Sequence, residues 1–93
     1  MKVTVRFYAH LRELAGKKGV VELDLKEDAT VSELLDELLL DFRVREVLLD
    51  EKQDIKSEIT ILKNGREIRY LDGMDTPLEP GDEISVFPIV AGG

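Results

Sequence analysis

Ninety-three residues leave room for one domain, and a net charge of −7, from thirteen Lys and Arg against twenty Asp and Glu, argues against nucleic-acid or anionic-membrane partners. With no cysteine and one histidine, His10, the chain has no disulfide, thiol nucleophile, thiolate site or multi-histidine metal site. At 43% apolar and 35% charged residues it is too hydrophobic to be disordered by composition, and its acidity suits a basic protein surface as partner.

Residues 2–8 alternate as a half-buried strand, with Val3, Val5 and Phe7 on one face and Thr4, Arg6 and Tyr8 on the other. Met1-Lys2-Val3-Thr4 therefore opens a strand pattern rather than a signal peptide, and no run reaches the ~18 apolar residues of a membrane span. A cytoplasmic location is expected. Residues 9–16 predict a short helical turn stopped by Gly16, and 17–19 a loop. Val21, Leu23 and Leu25 then alternate as a second strand, closing a hairpin with a loose connection.

Thr30 followed by Glu33 forms a capping-box pattern, able to satisfy two free backbone donors. Val31, Leu34, Leu35, Leu38, Leu39 and Phe42 recur at helical spacing, which predicts a helix over 31–42 whose apolar stripe needs a sheet to cover. Val44, Val47 and Leu48 either extend that helix or begin a second one; Asp50 to Glu58 reads as exposed loop. Ile59–Leu62 alternates again and runs into Asn64-Gly65, a tight-turn signal, after which Glu67–Tyr70 returns as a short strand. Turn residues punctuate 72–82. Residues 83–87 form the last strand, with Ile84 and Val86 on one face and Ser85 and Phe87 on the other, and the ladder should end at Pro88, which has no amide donor. One helix and five strands predict an α+β sandwich, a mixed sheet with its second face left open.

Most catalytic signatures are missing. Gly16-Lys17-Lys18-Gly19 is neither a phosphate loop nor a dinucleotide fingerprint. Asp50, Glu51, Asp54 and Glu58 lack the spacing and central glycine of a calcium loop. His10 has no nucleophile to serve. The chain ends, however, in Gly92-Gly93, directly after a strand and a proline. Two residues without Cβ can thread a narrow channel and present the terminal carboxylate to another protein's active site, where adenylation would activate it toward a thiol, sulfide or amine.

Three stretches carry a family resemblance. Phe7-Tyr8-Ala9-His10-Leu11-Arg12-Glu13-Leu14-Ala15-Gly16 resembles the opening of molybdopterin synthase small subunits, and Ala29-Thr30-Val31-Ser32-Glu33-Leu34-Leu35 resembles their helix start. Leu78-Glu79-Pro80-Gly81-Asp82-Glu83-Ile84, then Phe87-Pro88-Ile89-Val90-Ala91-Gly92-Gly93, resembles their ending, with Ile89 in place of a second proline. Residues 64–73 are similar to archaeal small-modifier relatives, which can be joined to lysines of other proteins. The resemblance implies a ubiquitin-like β-grasp domain over 1–88 with a mixed sheet of about five strands on one main helix, and a flexible Gly-Gly tail over 89–93.

It further implies a sulfur carrier that is not catalytic alone and binds no cofactor or metal. A ubiquitin-activating-like enzyme would use ATP to adenylate Gly93, which becomes a thiocarboxylate. Gly92 and Ala91 would thread into the partner. The large subunit of molybdopterin synthase would then use the sulfur for the dithiolene. A ubiquitin-like modifier joined through Gly93 to lysines is the alternative. First and last strands are neighbours in this fold, so Tyr8 and Phe87, turned to the open face by alternation, would form an apolar patch beside Pro88 that meets the large subunit and the activating enzyme.

Overall fold

The computed structural model describes residues 1–16 and 18–89, and five strands in them form one mixed sheet. β1 (Lys2–Phe7) pairs antiparallel with β2 (Val20–Asp24), the two joined through a 3₁₀ segment, Ala9–Ala15. β3 (Ile59–Lys63), β4 (Arg66–Glu67) and β5 (Glu83–Pro88) complete the spatial order β2-β1-β5-β3-β4. β5 runs parallel to β1 and antiparallel to β3. With helices α1 (Val31–Leu38) and α2 (Phe42–Leu48), this is the ubiquitin-like β-grasp arrangement of an α+β protein.

The alternation read from β1 decides which face is covered. Val3, Val5, Phe7, Ile84 and Val86 are buried, and they share one apolar cluster with Val31, Leu34, Leu35 and Leu38 of α1. Ile61 of β3 joins the same layer opposite Val86. Register matters here, because a one-residue slip would send this set to the other face. The β3–β4 hairpin turns through Asn64 (φ 49°) and Gly65 (φ 86°), the two positive dihedrals that a two-residue hairpin turn needs. Asn64 holds the turn to β5: its Nδ2 donates to Asp82 Oδ1 (2.9 Å) and its Oδ1 accepts from the Glu83 N–H (2.8 Å).

Three expectations need correction. The helix predicted over 31–42 ends at Leu38, and a second helix starts at Phe42. The chain tightens into i→i+3 bonds, from Leu40 N–H to Glu37 O and from Asp41 N–H to Leu38 O, and Asp41 Oδ1 then caps the new helix by accepting from the Arg43 N–H (2.8 Å). Phe42 consequently leaves the apolar stripe and is 70% exposed. The capping box is only half formed. Thr30 Oγ1 accepts from the Glu33 N–H (3.4 Å), whereas Glu33 is drawn to Lys26 (3.0 Å).

The strand expected over 67–70 lasts only two residues. Ile68 turns into the core, and Ile68–Tyr70 becomes a 3₁₀ turn. The last strand ends at Pro88, as expected, one residue beyond the alternating run 83–87; Pro88 pairs with Ile59, and the Ile89 N–H donates to Glu58 O (2.6 Å). The alternating bonds of β5 place the missing Pro88 N–H on the β1 side, where the Tyr8 carbonyl is already taken by the Leu11 N–H (3.1 Å). Proline costs the sheet nothing there.

Candidate functional site

β1 and β5 end side by side, and the sequence delivers an aromatic ring at each end. Phe7 and Val86, paired across the two strands, point into the core. Strict alternation therefore turns Tyr8 and Phe87 to the uncovered face. Their ring centroids are 6.0 Å apart with planes at 87°, an edge-to-face pair. Such a pair contributes roughly 0.5–1.5 kcal/mol beyond its area burial. Tyr8 is 40% exposed; Phe87 and Pro88 are half-buried.

The rings stand in a shallow depression of about 380 Å³ that is also lined by Ala9, Leu62, Ser85 and Pro88. Leu62 comes from β3, where it pairs with Ser85, so three strands build the floor. Ala9 sits at φ 55°, left-handed backbone that costs an alanine on the order of 1–2 kcal/mol. That turn sends the chain away from the sheet directly after Tyr8 and leaves the ring beside Phe87 uncovered. The lining carries no charged side chain. Further along the same face, Arg6 and Glu83 pair across β1 and β5 at 3.3 Å.

The geometry thus brings Tyr8, Phe87 and Pro88 together. Leu62, Ser85 and Ala9 complete the surface: alternation had already set Ser85 on the face of Phe87, whereas Leu62 and Ala9 were missed, because only the register of β3 against β5 puts Leu62 there and no residue type marks the positive φ of Ala9. Ile89, 50% exposed, is the last described residue; Ala91, Gly92 and Gly93 lie outside the described residues. Among the described residues no group of three His, Asp or Glu could hold a metal ion. The arrangement offers an apolar face at the end of β1 and β5.

The family model of the ThiS family matches residues 5–93. The chain belongs to the ThiS family. Small archaeal modifier protein 3 of Haloferax volcanii is 42% identical over 93 residues, covering all of both chains. A protein of Archaeoglobus fulgidus provisionally named a sulfur carrier is 34% identical over 94 residues, again across the whole of both. A solved Pyrococcus furiosus structure provisionally described as subunit 1 of a molybdopterin converting factor is 30% identical, with 97% of this chain and 99% of that one covered and a TM-score of 0.74. This ThiS-family chain is thus a ubiquitin-like protein of the sulfur-carrier and small-archaeal-modifier kind. No helix among the described residues is long and apolar enough to cross a membrane.

Proposed function

We propose that this ThiS-family protein is the sulfur-carrier subunit of a molybdopterin synthase. The supporting observation is the edge-to-face pair of Tyr8 and Phe87 at the end of β5, five residues before Gly92-Gly93. A body that docks through two rings can hold a short tail in a partner's active site, and aromatic anchors are the residues that most often carry such binding. The lining of this face, free of charge, suits a protein partner.

The chemistry then belongs to Gly93. Its carboxylate oxygen attacks the α-phosphorus of ATP on a ubiquitin-activating-like enzyme, and pyrophosphate leaves. A sulfide nucleophile attacks the acyl carbon of the adenylate, AMP departs, and the terminus becomes a thiocarboxylate. On the large synthase subunit that sulfur attacks a carbon of the pterin side chain and displaces an oxygen substituent there, and water then hydrolyses the acyl–sulfur bond to restore the Gly93 carboxylate. No cysteine is needed on this chain, because the sulfur travels on the terminus.

The same activated carboxyl would acylate a lysine amine. A modifier role is the second reading, favoured by 42% identity along the whole chain to small archaeal modifier protein 3. Mass spectrometry of the protein from its own cells separates them. Replacement of one terminal oxygen by sulfur supports the carrier; peptides branched between Gly93 and lysine support the modifier. Deleting Gly92 and Gly93 should abolish adenylation and leave the melting temperature nearly unchanged. A large fall in melting temperature would make the tail a structural element instead.

A further inference from the structure

We infer that the adenylating enzyme grips this protein on both sides of the tail's root, along a band that runs from the Tyr8–Phe87 face to Phe42 at the start of α2. The inference rests on the activation of Gly93 proposed above. Three depressions make the band, and they share residues. Pro88 lines the Tyr8–Phe87 depression and also a second one, of about 700 Å³, in which it is joined by Ile89, Glu46 and Val47. Glu46 and Val47 in turn line a third, of about 360 Å³, together with Leu14 and Phe42. The apolar surface therefore passes the last described residue and continues onto α2.

Phe42 does nothing for the fold that the structure reveals. Val44 and Leu48 anchor α2 in the core, while the Phe42 ring stands 70% exposed. It lies beside half-buried Leu14 and Val47 in one depression, so the apolar surface there is a patch and not a lone side chain. Charge selects the kind of molecule. Glu13, Glu46 and Glu58 line the second and third depressions against Lys56 and Arg43, whose guanidinium is directed to the Glu13 carbonyl (3.0 Å), so acids outnumber bases there on a chain that is itself acidic. A second copy of this chain would bring the same acids and the same net charge of −7 against them. The fitting occupant has an apolar recess for the Phe42 ring rimmed by Lys or Arg. The adenylating enzyme must hold the chain's end still, so it already stands at Ile89, where the two halves of the band meet. The Tyr8–Phe87 patch alone is small beside the ~800 Å² per partner of a standard interface.

ATP–pyrophosphate exchange, followed with the adenylating enzyme at varied concentrations of the full-length protein, tests this. Phe42→Ser should raise KM about tenfold with kcat kept, as for an interface residue that matters, and should leave the melting temperature unchanged. Glu46→Lys should raise KM by less, and that effect should shrink at high salt. An unchanged KM for Phe42→Ser beside a raised KM for Phe87→Ala would overturn the band and leave the sheet-face reading standing. No exchange with the wild-type protein would overturn the activation reading itself. A wild-type dimer in sedimentation that Phe42→Ser dissolves would assign the patch to a second copy and overturn the inference.

Discussion

The two faces of the sheet are made by the same strands and do opposite work. Toward α1, Val3, Val5, Ile84 and Val86 are fully enclosed, and every side chain there has an apolar neighbour. Toward the open side the same strands show Thr4, Arg6, Tyr8 and Phe87, all partly accessible. Burial sets stability on the first face, where a lost methylene costs both transfer energy and a cavity. On the second face the two rings meet edge to face and stay partly accessible, so their replacement should disturb the fold less. Enclosed and accessible side chains are thus separated by one residue step along β1 and β5.

Substitutions on the covered face should show the largest effects. Leu35→Ala or Leu38→Ala should each cost roughly 2–5 kcal/mol in urea unfolding, because both side chains are buried in the layer between α1 and the sheet. Neutrality of both would mean that the helix does not rely on this stripe. On the open face, Phe87→Ala should weaken binding to the large subunit or to the adenylating enzyme by at least ~2 kcal/mol in titration calorimetry, with only a small change in melting temperature. Unchanged affinity for both partners would remove the open face from the interface.

Smaller effects test the frame that carries α1. Thr30→Ala removes the cap on the Glu33 N–H and should cost about 1 kcal/mol in the same unfolding experiment. The exposed pair of Lys26 and Glu33 should matter least. The hydrogen bond to Glu33, with the nearby charges of Glu33 and Asp28, raises the Lys26 pKa above the ordinary lysine value. A raised pKa in the folded state gives a contribution that is present at neutral pH and lost as pH climbs through that folded value. Lys26→Met should therefore lower the melting temperature slightly at pH 7, and the difference should vanish in strong alkali.

Much of this was readable one residue at a time. Period-two alternation in β1, β3 and β5 needs no knowledge of neighbours, and neither does the Asn64-Gly65 turn, whose two positive dihedrals follow from the residue types. Where reading failed, a local signal met a tertiary one. Phe42 fits the helical stripe of α1 by spacing, yet Asp41 beside it caps a new helix, and the break at Leu39–Asp41 turns the ring outward. The Glu67–Tyr70 stretch alternates like a strand, but the core has a place for Ile68 that only the packed sheet reveals.

The site divides in the same way. The sequence by itself determined the class, the open-face parity of Tyr8 and Phe87 and the Gly92-Gly93 ending, because alternation and residue identity are local properties. Only the tertiary structure decided that the two rings meet at 6.0 Å, that Leu62 and Ser85 floor their depression, and that Pro88 fits a central strand because Leu11 occupies the Tyr8 carbonyl. Each of those depends on strand order and register, and the residues that set them lie as far apart in the chain as β1 and β5.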